Sequence, residues 1–313
     1  MSASRLYHVI HETVYHYAAP VTLSQHLLHL TPRNYDYQHV LRNSIELSPE
    51  STESEQGTDW FGNPMRWLAI RRPHDTLRLI AASTVEVLDR PLLQRTAPGP
   101  AWDVVAAQLA AFPCDAPLGA QECVMPSFHV PLLEDVRKWA QASFPPGRPL
   151  LEATRHLMLR IYDEFKFDPA ASTVATPVST TFKQKRGVCQ DFAHLMLCAL
   201  RSLGLAARYM SGYILTHPAP GKPRLIGADA SHAWVSLWCP ELGWVDFDPT
   251  NHQQPRLEHV VLGWGRDFAD VSPMRGVILG GASHEVDVHV TVMPAEMRGF
   301  AALLEEVRKR PQA

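Results

Sequence analysis

The chain has 313 residues, of which 46% are hydrophobic and 19% charged. These are globular proportions, with length for about two domains, and they exclude a disordered chain. A net charge of −3 and a pI near 6.6, with no Lys/Arg run, give no electrostatic reason to expect nucleic acid or an anionic membrane as a partner.

The opening, MSASRLYHVIHETVYHY, carries one arginine and no apolar stretch, so no secretory signal is expected. No run of about 18 apolar residues suggests a membrane-spanning helix. From Leu6, LYHVIHETVYHY alternates bulky and polar residues and is rich in β-branched and aromatic side chains, which predicts a strand. Further strands are expected at Val40 to Pro49, Met65 to Arg72 and Leu77 to Leu88. The polar SPESTESEQGTDWFGNP between the second and third reads as turns. Short strands at this density predict an N-terminal antiparallel β domain over residues 1–92.

Residues 93–130 are proline-rich and read as a linker, with one helical pattern in AWDVVAAQLAAF. LLEDVRKWAQASF and LLEATRHLMLRIYDEF have helical apolar spacing and are separated by PPGRP. RGVCQDFAHL then opens a helix at Cys189 whose broad apolar face runs from Phe192 to Leu203, with Gly204 as its stop. LAARYMSGYIL, SHAWVSLWC, GWVDFDPT and HEVDVHVTV are strands. Helices first and strands afterwards indicate an α+β domain, placed at 131–292, and 293–313 is left as a C-terminal helix or solvated tail.

Chemistry concentrates in three places. A thiol is a nucleophile when held as thiolate, and a helix start favours that form. Cys189 sits at such a start, its backbone N–H free to stabilise an oxyanion, and Gly187 lets another group approach closely. Taken alone, a cysteine is most often a small buried hydrophobe, which is the reading that fits Cys198 and Cys239. His232 shares a strand face with Trp234, Ser236 and Trp238 and, among 16 histidines, reads by itself as structural. Asp246 and Asp248 share a face of the next strand, and either can orient an imidazole there; strand parity does not choose between them. Cysteine on a helix start, then histidine and aspartate on adjacent strands, is the order of papain-like thiol enzymes. Asp191 reads as a helix cap, His194 as packing, and Tyr209 and Tyr213 as core. His8, His11 and His16 fall on both faces of one strand and form no metal cluster. The five cysteines, Cys114 and Cys123 included, are odd in number and match no zinc spacing, so free thiols and a cytoplasmic location are expected.

RGVCQDFAHLMLCALRSLGLAARYMSGYI followed by SHAWVSLWCPELGWVDFDPTN resembles the transglutaminase-like core of bacterial proteins, over roughly Ala153 to Gln254. YHVIHETVYHY through LTPR to the DWFGN turn and STVEV resembles the N-terminal β domain that precedes that core. The resemblance implies a papain-like cysteine-enzyme core with Cys189 as nucleophile, His232 as general base and Asp248, rather than Asp246, as the orienting carboxylate. It implies covalent acyl chemistry on an amide in a protein or peptide, released to water or to an amine, with no cofactor and no metal. Gln184, from the segment before Cys189, is the candidate second oxyanion donor, and Gly187 and Trp234 are placed at the substrate cleft. Two other readings use the same residues: a non-catalytic peptide-binding module, and a zinc hydrolase built on Cys189, His232 and Asp248.

Overall fold

The structure, a computed structural model, describes residues 3–90, 99–111, 114–216, 231–297 and 299–310. The expected start of the linker at 93 and part of its RTAPGPAW stretch lie outside the described residues.

Strand β1 (Ser4–Leu28) is the spine of the N-terminal half. Its register with its partners shifts between His16 and Val21, at Ala18-Ala19-Pro20, where proline cannot donate to a ladder. β2 (Gln38–Ser48), β3 (Glu53–Thr58), β4 (Pro64–Ile70) and β5 (His74–Leu88) join it antiparallel in the order β2-β5-β1-β4-β3. β3 falls in the stretch read as turns. It is exposed along its whole length and pairs only with β4, so no face-to-face alternation marks it in the sequence.

α1 (Trp102–Ala110) and α2 (Leu118–Glu122) lead to α3 (Glu134–Gln141) and α4 (Leu150–Glu164). After the two-residue β6 (Lys166–Phe167) come α5 (Val178–Gln184), β7 (Arg186–Gly187) and α6 (Cys189–Ser202). Every residue of α6 from Asp191 to Arg201 is buried, which makes it the central helix of the core. One side packs on β8 (Ala207–Ile214), β9 (Ser231–Cys239) and β10 (Gly243–Phe247); α3, α4 and α5 cover the other. β11 (His259–Gly265) completes a sheet of order β10-β9-β8-β11. α7 (Phe268–Val271) follows.

The chain then leaves the core. β12 (Met274–Gly280) and β13 (His284–Pro294) both pair antiparallel with β1, and β13 reaches the Tyr7↔Pro294 register. The sequence-based division, with 131–292 in one core, is corrected here: 274–294 belongs to the sheet begun by the first strand. Alternation in HEVDVHVTV says which face of the strand is buried and nothing about which sheet receives it. α8 (Phe300–Lys309) is no solvated tail. Leu303 and Val307 pack on Ile10 and Ile80, and the Arg78 guanidinium, paired with buried Glu12, donates to carbonyls in its last turn.

The two sheets share a hydrophobic core. Tyr213 and Leu215 at the end of β8 and Val260 and Leu262 of β11 pack among Tyr7, Val9, Leu68 and Leu79. Among the described residues no helix is long and apolar enough to cross a membrane.

Candidate active site

Cys189 is the first residue of α6 and is partly exposed, whereas Cys198 and Cys239 are buried. The helix start is fixed by Asp191, whose carboxylate accepts from the Val188 N–H at 2.8 Å and from Ser172 Oγ at 2.5 Å. Gly187 makes room for that cap: a Cβ there would lie 2.7 Å from the Asp191 Oδ2 and 2.8 Å from its Cβ. The close approach that Gly187 permits is therefore that of a helix-capping carboxylate.

His232 faces Cys189 from β9, next to the Gly212 of β8. Its Nε2 donates to Asp248 Oδ2 at 2.7 Å, which leaves Nδ1 as the nitrogen for the Cys189 thiol. Asp248, fully buried just past β10, is saturated with donors. Oδ2 also accepts from His259 Nε2 at 3.1 Å and Asn251 Nδ2 at 2.8 Å; Oδ1 accepts from the backbone of Thr250 and Asn251 at 3.0 and 3.2 Å. Burial works against a charged His232, but hydrogen bonds to Asp248 and Cys189 and their negative charge outweigh it and raise its pKa to about 10. Burial likewise opposes the Asp248 carboxylate, and the bonds from His232 and His259 nevertheless hold its pKa well below the usual range. For His259 burial wins, and its pKa is lowered. One imidazole on Asp248 is thus poised to carry a proton and the other to remain neutral.

Asp246, two residues earlier on the same strand face, belongs to a different network. Its Oδ2 accepts from Arg90 Nη1 and from Trp234 Nε1, the latter at 3.0 Å. Trp234 is fully buried and stacks on His232 with ring centroids 6.0 Å apart. It is a prop behind the imidazole, not the cleft wall expected from sequence. Gln184 ends α5 instead of lying in a loop; its side chain is exposed and donates to none of Cys189, His232 and Asp248 among the described residues. His194 packs as expected, its neutral Nε2 accepting from the Phe268 N–H at 3.2 Å, and Tyr209 and Tyr213 are core.

His259 was not singled out in the sequence. HVVLGWG is a short apolar run, the signal of a strand buried on both faces, and that signal would have placed a histidine beside β8. With His232 and Asp248 it forms a group whose ligand atoms lie within 4.8 Å of one another and which could in principle take a metal ion. The spacing argues for protons instead. Two ligands about 2.1 Å from a tetrahedral ion stand about 3.4 Å apart, whereas His232 Nε2 and Asp248 Oδ2 are 2.7 Å apart, a charge-assisted hydrogen-bond length. Cys189 lies outside this group, on the other side of the His232 ring.

Comparison with known proteins agrees with this architecture. Residues 7–86 match the bacterial transglutaminase-like N-terminal region and residues 137–249 match the transglutaminase-like superfamily. A Mycobacterium tuberculosis protein of uncharacterised function is 38% identical over 304 residues, covering 95% of each chain. A Pseudomonas aeruginosa protein-glutamine gamma-glutamyltransferase is 31% identical over 134 residues, which are 38% of this chain and 20% of that protein. Among solved structures, a Cytophaga hutchinsonii protein provisionally assigned as a cysteine protease superposes with a TM-score of 0.72 over 95% of this chain and 93% of its own, at 20% identity; that likeness carries the fold. The chain belongs to the bacterial transglutaminase-like proteins, a transglutaminase-like core preceded by the family's N-terminal region. The superfamily, together with the transglutaminase relative, points to a cysteine-type enzyme, protease or transglutaminase.

Proposed function

We propose that this protein is a thiol enzyme that opens amide bonds of proteins or peptides through a Cys189 thioester. The observation that carries the reading is the His232 imidazole bound through Nε2 to buried Asp248 at 2.7 Å, with the Cys189 thiol among the groups that raise its pKa. In the proposed reaction the Cys189 proton already rests on His232 Nδ1, as the raised imidazole pKa favours, and the thiolate Sγ adds to the amide carbonyl. The backbone N–H of Cys189, unpaired at the helix start, supports the developing oxyanion. His232 then protonates the departing amine as the C–N bond breaks, leaving the thioester. Water, giving a carboxylic acid, or an amine, giving a new amide, attacks next, with His232 taking its proton; cysteine leaves as the group that entered. Asp248 keeps the imidazole in register and stabilises its protonated form.

The test is intact-mass measurement of the acyl-enzyme on peptide amides, with hydrolysis and transfer to a primary amine followed in parallel. A mass increment confined to Cys189, absent from Cys189→Ala, supports the proposal, and the product ratio separates hydrolase from transferase. Turnover that survives Cys189→Ala, or is abolished by a chelator and restored by zinc, sinks it. Selective alkylation by iodoacetamide at neutral pH gives an independent check. Cys189 should react and Cys198 should not, since burial raises the Cys198 thiol to about 11.

A further inference from the structure

Behind Trp234, on the same sheet face as His232, lies a cavity of about 300 Å³ between the N-terminal sheet and the core. Tyr35, Tyr37, Trp244 and Trp264 line it, Tyr35 standing edge-on to Trp264 with ring centroids 5.8 Å apart, and Arg90, Arg208 and Asp246 line it as well. The charges do not balance. Asp246 is committed to Arg90 and to the Trp234 indole, and Arg90 spends its other terminal nitrogen on the Tyr35 hydroxyl. Arg208 has no such partner. Its guanidinium lies 4.2 Å from the ring centre of Trp244 and 3.9 Å from that of Trp264, and its buried Nε bonds to nothing. Among the described residues no carboxylate or carbonyl accepts a hydrogen bond from it. Burial weighs against its charged form and lowers its pKa. Asp36 also lines the cavity, but it stands exposed at the rim and forms no ion pair with Arg208.

A half-buried charge with no hydrogen-bonded protein partner is held at a cost, and a guanidinium lying over two indole rings has the direction of its donors restricted. One uncompensated positive charge matches a monoanion; the aromatic walls match an apolar or aromatic body. We infer that this cavity is a binding site for a small monocarboxylate with an aromatic or apolar body, its carboxylate on Arg208 and its body against the aromatic side chains that line the cavity. The site is separate from Cys189 and does not depend on the thioester chemistry: its walls include neither Cys189 nor His232.

Benzoate and its neutral isostere benzamide, titrated into the full-length protein by calorimetry with tryptophan fluorescence read alongside, test the inference. Saturable benzoate binding at least tenfold tighter than benzamide is expected, because the charge-assisted bond is made by the acid alone. It should weaken at least tenfold in Arg208→Gln and be unchanged in Cys189→Ala. Equal binding of acid and amide in the wild-type protein overturns the inference, and this comparison stands even if Arg208→Gln does not fold. Loss of benzoate binding in Cys189→Ala also overturns it, since the ligand would then lie in the catalytic cleft. Tighter binding of inorganic phosphate than of benzoate overturns the monocarboxylate assignment.

Discussion

Asp246 and Asp248 stand two residues apart on one strand face, both buried, and do opposite things. Asp246 is bound to Arg90, a partner that keeps its charge at every accessible pH, and to an indole N–H. Asp248 is bound to two imidazoles and an asparagine. The first network can lock a fold but has no proton to move. The second holds an imidazole that carries a proton it can pass on. What distinguishes a structural from a chemical carboxylate here is the pKa of its partner, not its own burial or its place in the strand.

The largest effect that could break this comparison is on turnover. Asp248→Asn should lower kcat on an amide substrate on the order of 10³–10⁴-fold by freeing the imidazole to take the wrong tautomer, and should also remove the stability that the raised His232 pKa supplies. Asp246→Asn should leave turnover largely intact and act on stability alone. Arg90 would be left buried and uncompensated, at a cost of about 3–5 kcal/mol read by urea denaturation, while the folded fraction keeps kcat within about tenfold. If the two variants trade phenotypes, the assignment of roles is wrong.

The next test is pH. His232 has a folded pKa raised to about 10 from its ordinary 6.5, so its contribution to stability is fully present below about 6.5 and is lost as pH rises through about 10. The unfolding free energy from urea denaturation should fall over that window by an amount on the order of a few kcal/mol in the wild-type protein, and His232→Gln should flatten the fall. Cys189→Ala should narrow the window, because the thiol is one of the groups that raise the imidazole. Asp246→Asn should leave the window where it is. The smallest effect is that of His259→Gln, which removes one of several donors to Asp248. Turnover should drop roughly fivefold, the worth of about 1 kcal/mol, and an unchanged value would show that the remaining donors suffice.

Much of this was legible in the chain. Alternation marked β1, β2, β4 and β5, and the apolar face of α6 put Cys189 at a helix start. The strand pattern put His232 beside both aspartates. It could not separate them, because parity is identical at 246 and 248 and the deciding partner, Arg90, is remote in sequence. α5 was missed because VSTTFKQ is rich in β-branched residues, poor helix formers held there by packing of Val178 and Thr181. β3 gave no signal because neither face is buried, and His259 was hidden by an apolar run without period. Trp234 was placed at the substrate cleft alongside the family resemblance; its complete burial is a tertiary fact.

The pairing of β13 with the first half of β1 has a consequence for how the protein comes into being. Tyr7 meets Pro294, so the central strand cannot acquire that neighbour until residue 294, 287 positions later, has left the ribosome. Until then one edge of β1 is an open template, and closing the ladder draws together segments almost the full chain apart, the slow and aggregation-exposed kind of contact. β13 and α8, made after the candidate site, supply neighbours that β1 lacks, so a nascent chain stalled before about residue 284 would carry every residue of the candidate site and still lack the strand that closes its first sheet.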